Sequence, residues 1–163
     1  MIMLAIILAV PIIFLAWAAI HELSHYLVAR KYLNIISVDF FLYPHKSKSL
    51  GFVWARVKWL ADRIPTNYEL ANISVAPRIP NLIAAIMFTL WSLMPTNILM
   101  LLWSGFWIGG LIDLFVGSLG INKQSDLQRV SNGWNLEPWI LRVAGMSVVF
   151  SSIIISLLIY LLL

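Results

Sequence analysis

Four stretches of this sequence stay apolar for about 20 residues or more, the length a helix needs to cross the hydrocarbon core of a bilayer. They cover residues 2–29, 71–94, 98–119 and 139–163, most of a 163-residue chain. Inside a bilayer every backbone polar group must be paired within the protein, so each stretch is expected to be helical. Composition agrees, with 61% hydrophobic residues, 11% charged residues and a mean hydropathy of +0.91. A soluble domain carries about 25% charged residues, so an ordinary cytosolic domain and a disordered chain are excluded. The first stretch starts without a basic leader and runs on to Arg30 and Lys31, too long for a cleaved signal peptide.

The charges lie between the apolar runs. Residues 30–70 hold seven Lys or Arg and residues 120–138 hold two, whereas the short turn at 95–97 holds none. Basic loops stay in the cytoplasm, so both long loops are expected there and both termini outside. The net charge of +4 is therefore a loop signature and gives no reason to expect nucleic acid. Within the first loop, Ile36 to Tyr43 and Leu50 to Trp59 are rich in β-branched and aromatic residues and flank Pro44-His45-Lys46-Ser47-Lys48-Ser49. This reads as a hairpin at the membrane surface. In its second strand Phe52, Trp54, Arg56 and Lys58 share one face, and Val53, Ala55, Val57 and Trp59 the other; an irregular interfacial loop anchored by Trp54 and Trp59 is the alternative. The expected fold class is all-α integral membrane: a single membrane domain over residues 1–163, four transmembrane helices and a short cytoplasmic β-hairpin between the first and second.

With no cysteine in the chain, any metal must be held by His, Asp or Glu. His21-Glu22-Leu23-Ser24-His25 is an HExxH sequence near the cytoplasmic end of the first run. On a helix, His21 and His25 differ by about 40° and stack on one face, so both imidazoles reach one ion. Glu22 lies about 100° from His21, beside the ion, where it can act as the general base toward water. Ionisable residues at bilayer depth are costly unless paired, hydrated or metal-bound, which marks all three as functional.

A catalytic zinc site has three protein ligands and an open position, leaving one ligand to find. Asp113 is the first candidate, being the only acidic residue in the third run and preceded by Gly109 and Gly110, which permit close helix approach. Depth supports it: at 1.5 Å per residue, Asp113 lies about 24 Å from Asn97 and His21 about 28 Å from Ile2. Asp126, Glu137 and His45, all in polar loops, are the alternatives. Arg78 and Asn81, after Pro77, can place a donor near the metal or serve as boundary residues, and Arg142 is read as a boundary residue in the same way. His, His and Asp without thiolates suit zinc.

Three features together resemble the site-2 protease family of intramembrane zinc metalloproteases, especially its small minimal-core members: HELSH ending the first span, Ala76-Pro77-Arg78-Ile79-Pro80-Asn81 opening the second, and Leu111-Ile112-Asp113 in the third. The resemblance covers residues from about 14 to 118. It implies zinc held by His21, His25 and Asp113, Glu22 as general base, and a sheet at 36–59 that receives an unwound substrate strand. Two departures stand out. Ala76 replaces a glycine, with one extra residue before Asn81, and Leu114 follows Asp113 where the family has glycine. The expected function is hydrolysis of peptide bonds in membrane-embedded or membrane-proximal substrates, with the bilayer and a membrane protein or peptide as partners. A non-catalytic adaptor binding a partner helix, and a small cation or proton transport subunit, are the competing expectations.

Overall fold

The computed structural model describes residues 2–43, 45–47, 51–53, 55–94, 98–120 and 125–162. Helix α1 (Ile2–Tyr32) ends on Arg30 and Lys31, cations that favour the negative end of the helix dipole. The loop that follows pairs β1 (Ile35–Phe41) with β4 (Arg56–Ala61), antiparallel, with Asp39 opposite Lys58 and Phe40 opposite Val57. Further out, β2 (His45–Ser47) pairs with β3 (Gly51–Val53), so the expected hairpin is present. Ala55 and Val57 are buried and Lys58 is exposed, the alternation the sequence implied. Pro44, Trp54 and the 95–97 turn lie outside the described residues. Trp59 is half-buried and packs with Val28, Ile35 and Ala61 around a core of Ala29, Leu33 and Ile73, which seats the hairpin against α1.

The second apolar run begins earlier than its hydropathy suggested. Thr66 caps α2 (Asn67–Val75), its hydroxyl accepting from the Glu69 amide while Glu69 accepts from the Thr66 amide. Arg63 clamps Glu69 with two hydrogen bonds and donates to the Tyr32 carbonyl, tying the start of α2 to the end of α1. A break at Ala76-Pro77 then separates α2 from α3 (Arg78–Trp91). Pro77 has no N–H to give the Ile73 carbonyl, and Pro80 none for Ala76. The Ile73 carbonyl is thereby left with spare acceptor capacity.

Helix α3 packs antiparallel on α4 (Ile98–Leu119) in a regular ladder: Ala84 lies against Gly110, Asn81 bonds Asp113, and Arg78 lies against Gly117. Each rung is about one turn from the next. Ala85, Leu111, Leu114 and Val149 form the apolar core where α6 (Pro138–Leu162) joins them.

Between α4 and α6, the 120–138 segment, expected as a polar loop, contains a helix, α5 (Asp126–Trp134). Ser125 caps its start, Asn135 ends it in the left-handed conformation, and its buried face is Leu127, Val130 and Ser131. Trp134 donates to Asn72, which donates to the Tyr32 hydroxyl, linking α5, α2 and α1. Gly133 allows the close approach of α5 to α2, since a Cβ there would sit 2.2 Å from the Asn67 carbonyl oxygen and 2.5 Å from Ala71 Cβ. Gly133→Ala is expected to destabilise the protein by about 1–3 kcal/mol through overpacking, read as a lower thermal midpoint in detergent. An unchanged midpoint would mean that α5 is not held at this contact.

Among the described residues, three helices are long and apolar enough to cross a membrane: Ala9–Tyr32, the joined α2–α3 segment Asn67–Trp91, and Pro138–Leu162, with Trp103–Leu119 a shorter apolar helix. Their outer faces expose Ile83, Ile86, Leu90, Ile154, Leu157, Leu158 and Leu161, a surface suited to lipid and not to water.

Candidate metal centre

The HExxH helix presents His21 and His25 one turn apart with their rings edge to face, 4.9 Å between centroids. Each ring is held from behind. His25 Nδ1 donates to the Ile73 carbonyl at 2.7 Å, the acceptor that Pro77 left underused. His21 Nδ1 donates to Asp113, at 2.9 Å to Oδ2 and 3.1 Å to Oδ1. Asn81 in turn donates to Asp113 Oδ2 at 2.8 Å. With both Nδ1 atoms carrying a proton, each imidazole in its neutral form leaves its Nε2 lone pair facing forward.

Asp126, the first residue of α5, faces those lone pairs. Its Oδ2 lies 3.2 Å from His21 Nε2 and 3.1 Å from His25 Nε2, and the two Nε2 atoms are 3.2 Å apart. Three electron-rich atoms converge at separations close to the roughly 3.4 Å edge of a tetrahedron with zinc–ligand bonds of about 2.0–2.1 Å. This spacing fits a metal: His21, His25 and Asp126 form the group able to hold one. Burial acts to raise the Asp126 carboxyl, but hydrogen bonds and charge interactions with His21 and His25 outweigh it and hold the group well below the usual carboxylate range. It therefore meets a cation as an anion.

The sequence put Asp113 first and Asp126 among the alternatives, and the structure brings both carboxylates onto His21, at opposite ring nitrogens. Asp113 occupies the position of a partner that orients a metal-ligating histidine, and Asn81 orients Asp113. Asp126 reaches the site because α5 folds back over α2, which hydropathy does not reveal. A local signal for α5 did exist: Ser125 before Asp126 is an N-cap pattern, and Leu127, Val130 and Trp134 follow at helical spacing. Glu137, exposed at the start of α6, is not in the cluster, and the side chain of His45 lies outside the described residues. Arg142 donates to the Gly120 carbonyl at 3.4 Å, in keeping with a boundary role.

Glu22 stands beside the cluster on the neighbouring helix face. Its Oε2 accepts from the Val57 amide at 2.7 Å. Amides of an antiparallel strand alternate between partner and open edge, so this bond shows that Val57 turns its N–H away from β1 and toward the metal side. The open edge of β4 thus forms one wall of the site. A cavity of about 710 Å³ lies between this edge and the ligands, bordered by Glu22, Arg56, Trp59, Arg78, Gly117 and Arg129 among others. Its volume is within the range of small-molecule and peptide pockets. No family model, curated protein or solved structure matches this chain.

Proposed function

We propose that the protein is a membrane-embedded zinc metalloprotease of the kind its HELSH, Pro77–Asn81 and Asp113 segments resemble. The observation that carries this reading is the convergence of two histidine Nε2 atoms and one carboxylate oxygen, with a glutamate outside that cluster and an open strand edge on the same cavity. His21, His25 and Asp126 hold the metal, and Asp113 and the Ile73 carbonyl fix the tautomers of the two imidazoles. A bound zinc supplies Lewis acidity, which makes water nucleophilic near neutral pH and polarises a carbonyl. Glu22 takes the proton from water and delivers it to the leaving amine. The β4 edge, through Val57 and its alternate neighbours, holds the substrate extended, because a helical substrate has its carbonyls already bonded. On this reading the protein has four spans, with α4 (22 residues) as the third, the basic loops and β-hairpin in the cytoplasm, and both termini outside. The site then opens at the cytoplasmic border of the bilayer.

The test is cleavage of single-span model substrates by the purified protein in detergent and in liposomes. Chelation of zinc is expected to stop cleavage and re-addition of zinc to restore it. Cleavage that persists without metal would refute the proposal, as would a zinc-loaded protein that cuts no substrate in either setting.

A further inference from the structure

A second, smaller cavity of about 180 Å³ lies among α3, α4, α5 and α6, walled chiefly by Leu82, Leu114, Leu127, Val130, Leu141 and Val148. It shares Arg78, Gly117 and Asp126 with the metal cavity, so it opens directly beside a candidate ligand. At roughly 30 Å³ per water, its volume takes a side chain of about four to seven heavy atoms.

Arg78 stands at the junction. Its Nη1 is buried and has no hydrogen-bond partner among the described residues. The guanidinium turns its Nη1–Nη2 edge toward Gly117, where an added Cβ would overlap both nitrogens. Asp113, one turn before Gly117, acts on Arg78 through its charge but accepts its hydrogen bonds from His21 and Asn81. An unspent, charged, buried donor is costly to maintain unless something else occupies it. A lipid chain entering the apolar pocket brings no acceptor to this nitrogen. A peptide brings both parts at once, an apolar side chain and the carbonyl next to it.

We infer that the small cavity is the side-chain pocket of the site, selecting a large apolar residue (Leu, Met or Phe) next to the scissile bond, and that Arg78 binds that residue's backbone carbonyl. The inference rests on the protease reading and names its substrate preference. Ala144 lines the same pocket from α6, and lengthening it fills the space.

The test uses the zinc-loaded full chain and peptides identical except at one residue beside the cleaved bond, which is Gly, Ala, Leu, Phe or Asp. Leu and Phe peptides are expected to exceed Gly by about 10–100-fold in kcat/KM. Ala144→Leu is expected to shift the preference toward Ala. Arg78→Gln is expected to lower kcat/KM by about 10–100-fold for every peptide, with zinc content unchanged and partial recovery in Arg78→Lys. Binding of the same peptides to Glu22→Gln, by calorimetry, gives a readout independent of turnover and is expected to rank them in the same order. Cleavage or binding indifferent to the varied residue overturns the inference while leaving the protease reading intact. So does an Arg78→Gln protein that is fully active or that has lost zinc. Selective binding to Glu22→Gln, with no cleavage by the wild type, keeps the pocket and overturns the protease.

Discussion

Glu22→Gln is expected to reduce peptide cleavage by about 10²–10⁴-fold while the protein keeps its zinc and its thermal midpoint. The prediction separates the two things Glu22 does. As an acceptor it holds the Val57 amide at 2.7 Å and so fastens β4 to α1. Glutamine has the same shape and its side-chain oxygen accepts that bond equally, so the strand edge stays in place. As a base it must take a proton, which an amide cannot do. Zinc retention is expected because the ligand cluster consists of His21, His25 and Asp126, without Glu22. Metal analysis, a thermal melt and a cleavage assay on one preparation check all three parts. Activity within tenfold of wild type would remove Glu22 as the base. If both proteins bound a partner helix equally and cut nothing, the chain would be a non-catalytic adaptor.

The Val57 bond also has a consequence for substrate binding. A peptide pairing with the open edge of β4 competes with Glu22 for that amide. On the protease reading, docking of the strand and release of the base toward water would then be one event.

Elements defined by local pattern were legible in the sequence. The histidine pair follows from 3.6-residue periodicity, the hairpin from alternation on both sides of a turn, and the break before α3 from Pro77 and Pro80. Asp113 was legible through its depth, a property of a straight helix counted from its end. What escaped was non-local or polar. The α5 helix has nine residues and a single apolar stripe, so an average over the 120–138 segment conceals it. Its effect is large, because it returns Asp126 to the histidines of α1 from a segment that hydropathy assigns to solvent. The Glu22–Val57 bond spans 35 residues and depends on which edge of β4 faces α1, which no local pattern encodes. The Arg78–Gly117 contact was likewise invisible, though both residues could be placed on their helices.

Because two carboxylates meet His21, replacing each should have a different result. Asp126→Ala is expected to strip the metal at micromolar zinc, since it leaves two imidazoles and no anion. Asp113→Asn is expected to keep zinc but weaken it by roughly 10–100-fold, the usual loss when an orienting partner of a ligand is changed. Asparagine still accepts from His21 Nδ1, so the tautomer survives while the negative charge that makes the ring a stronger ligand is gone. Neither change should unfold the protein: the cap of α5 comes from Ser125, and the α3–α4 ladder keeps its Ala84–Gly110 rung. Competition titration against a zinc chelator, with both variants checked for a single chromatographic species, measures the difference. The reverse order, with zinc lost from Asp113→Asn and kept by Asp126→Ala, would make Asp113 the ligand. His21 would then have to present Nδ1 to the metal. That turns the ring away from His25 Nε2, 3.2 Å away, and breaks the three-atom convergence on which the site depends.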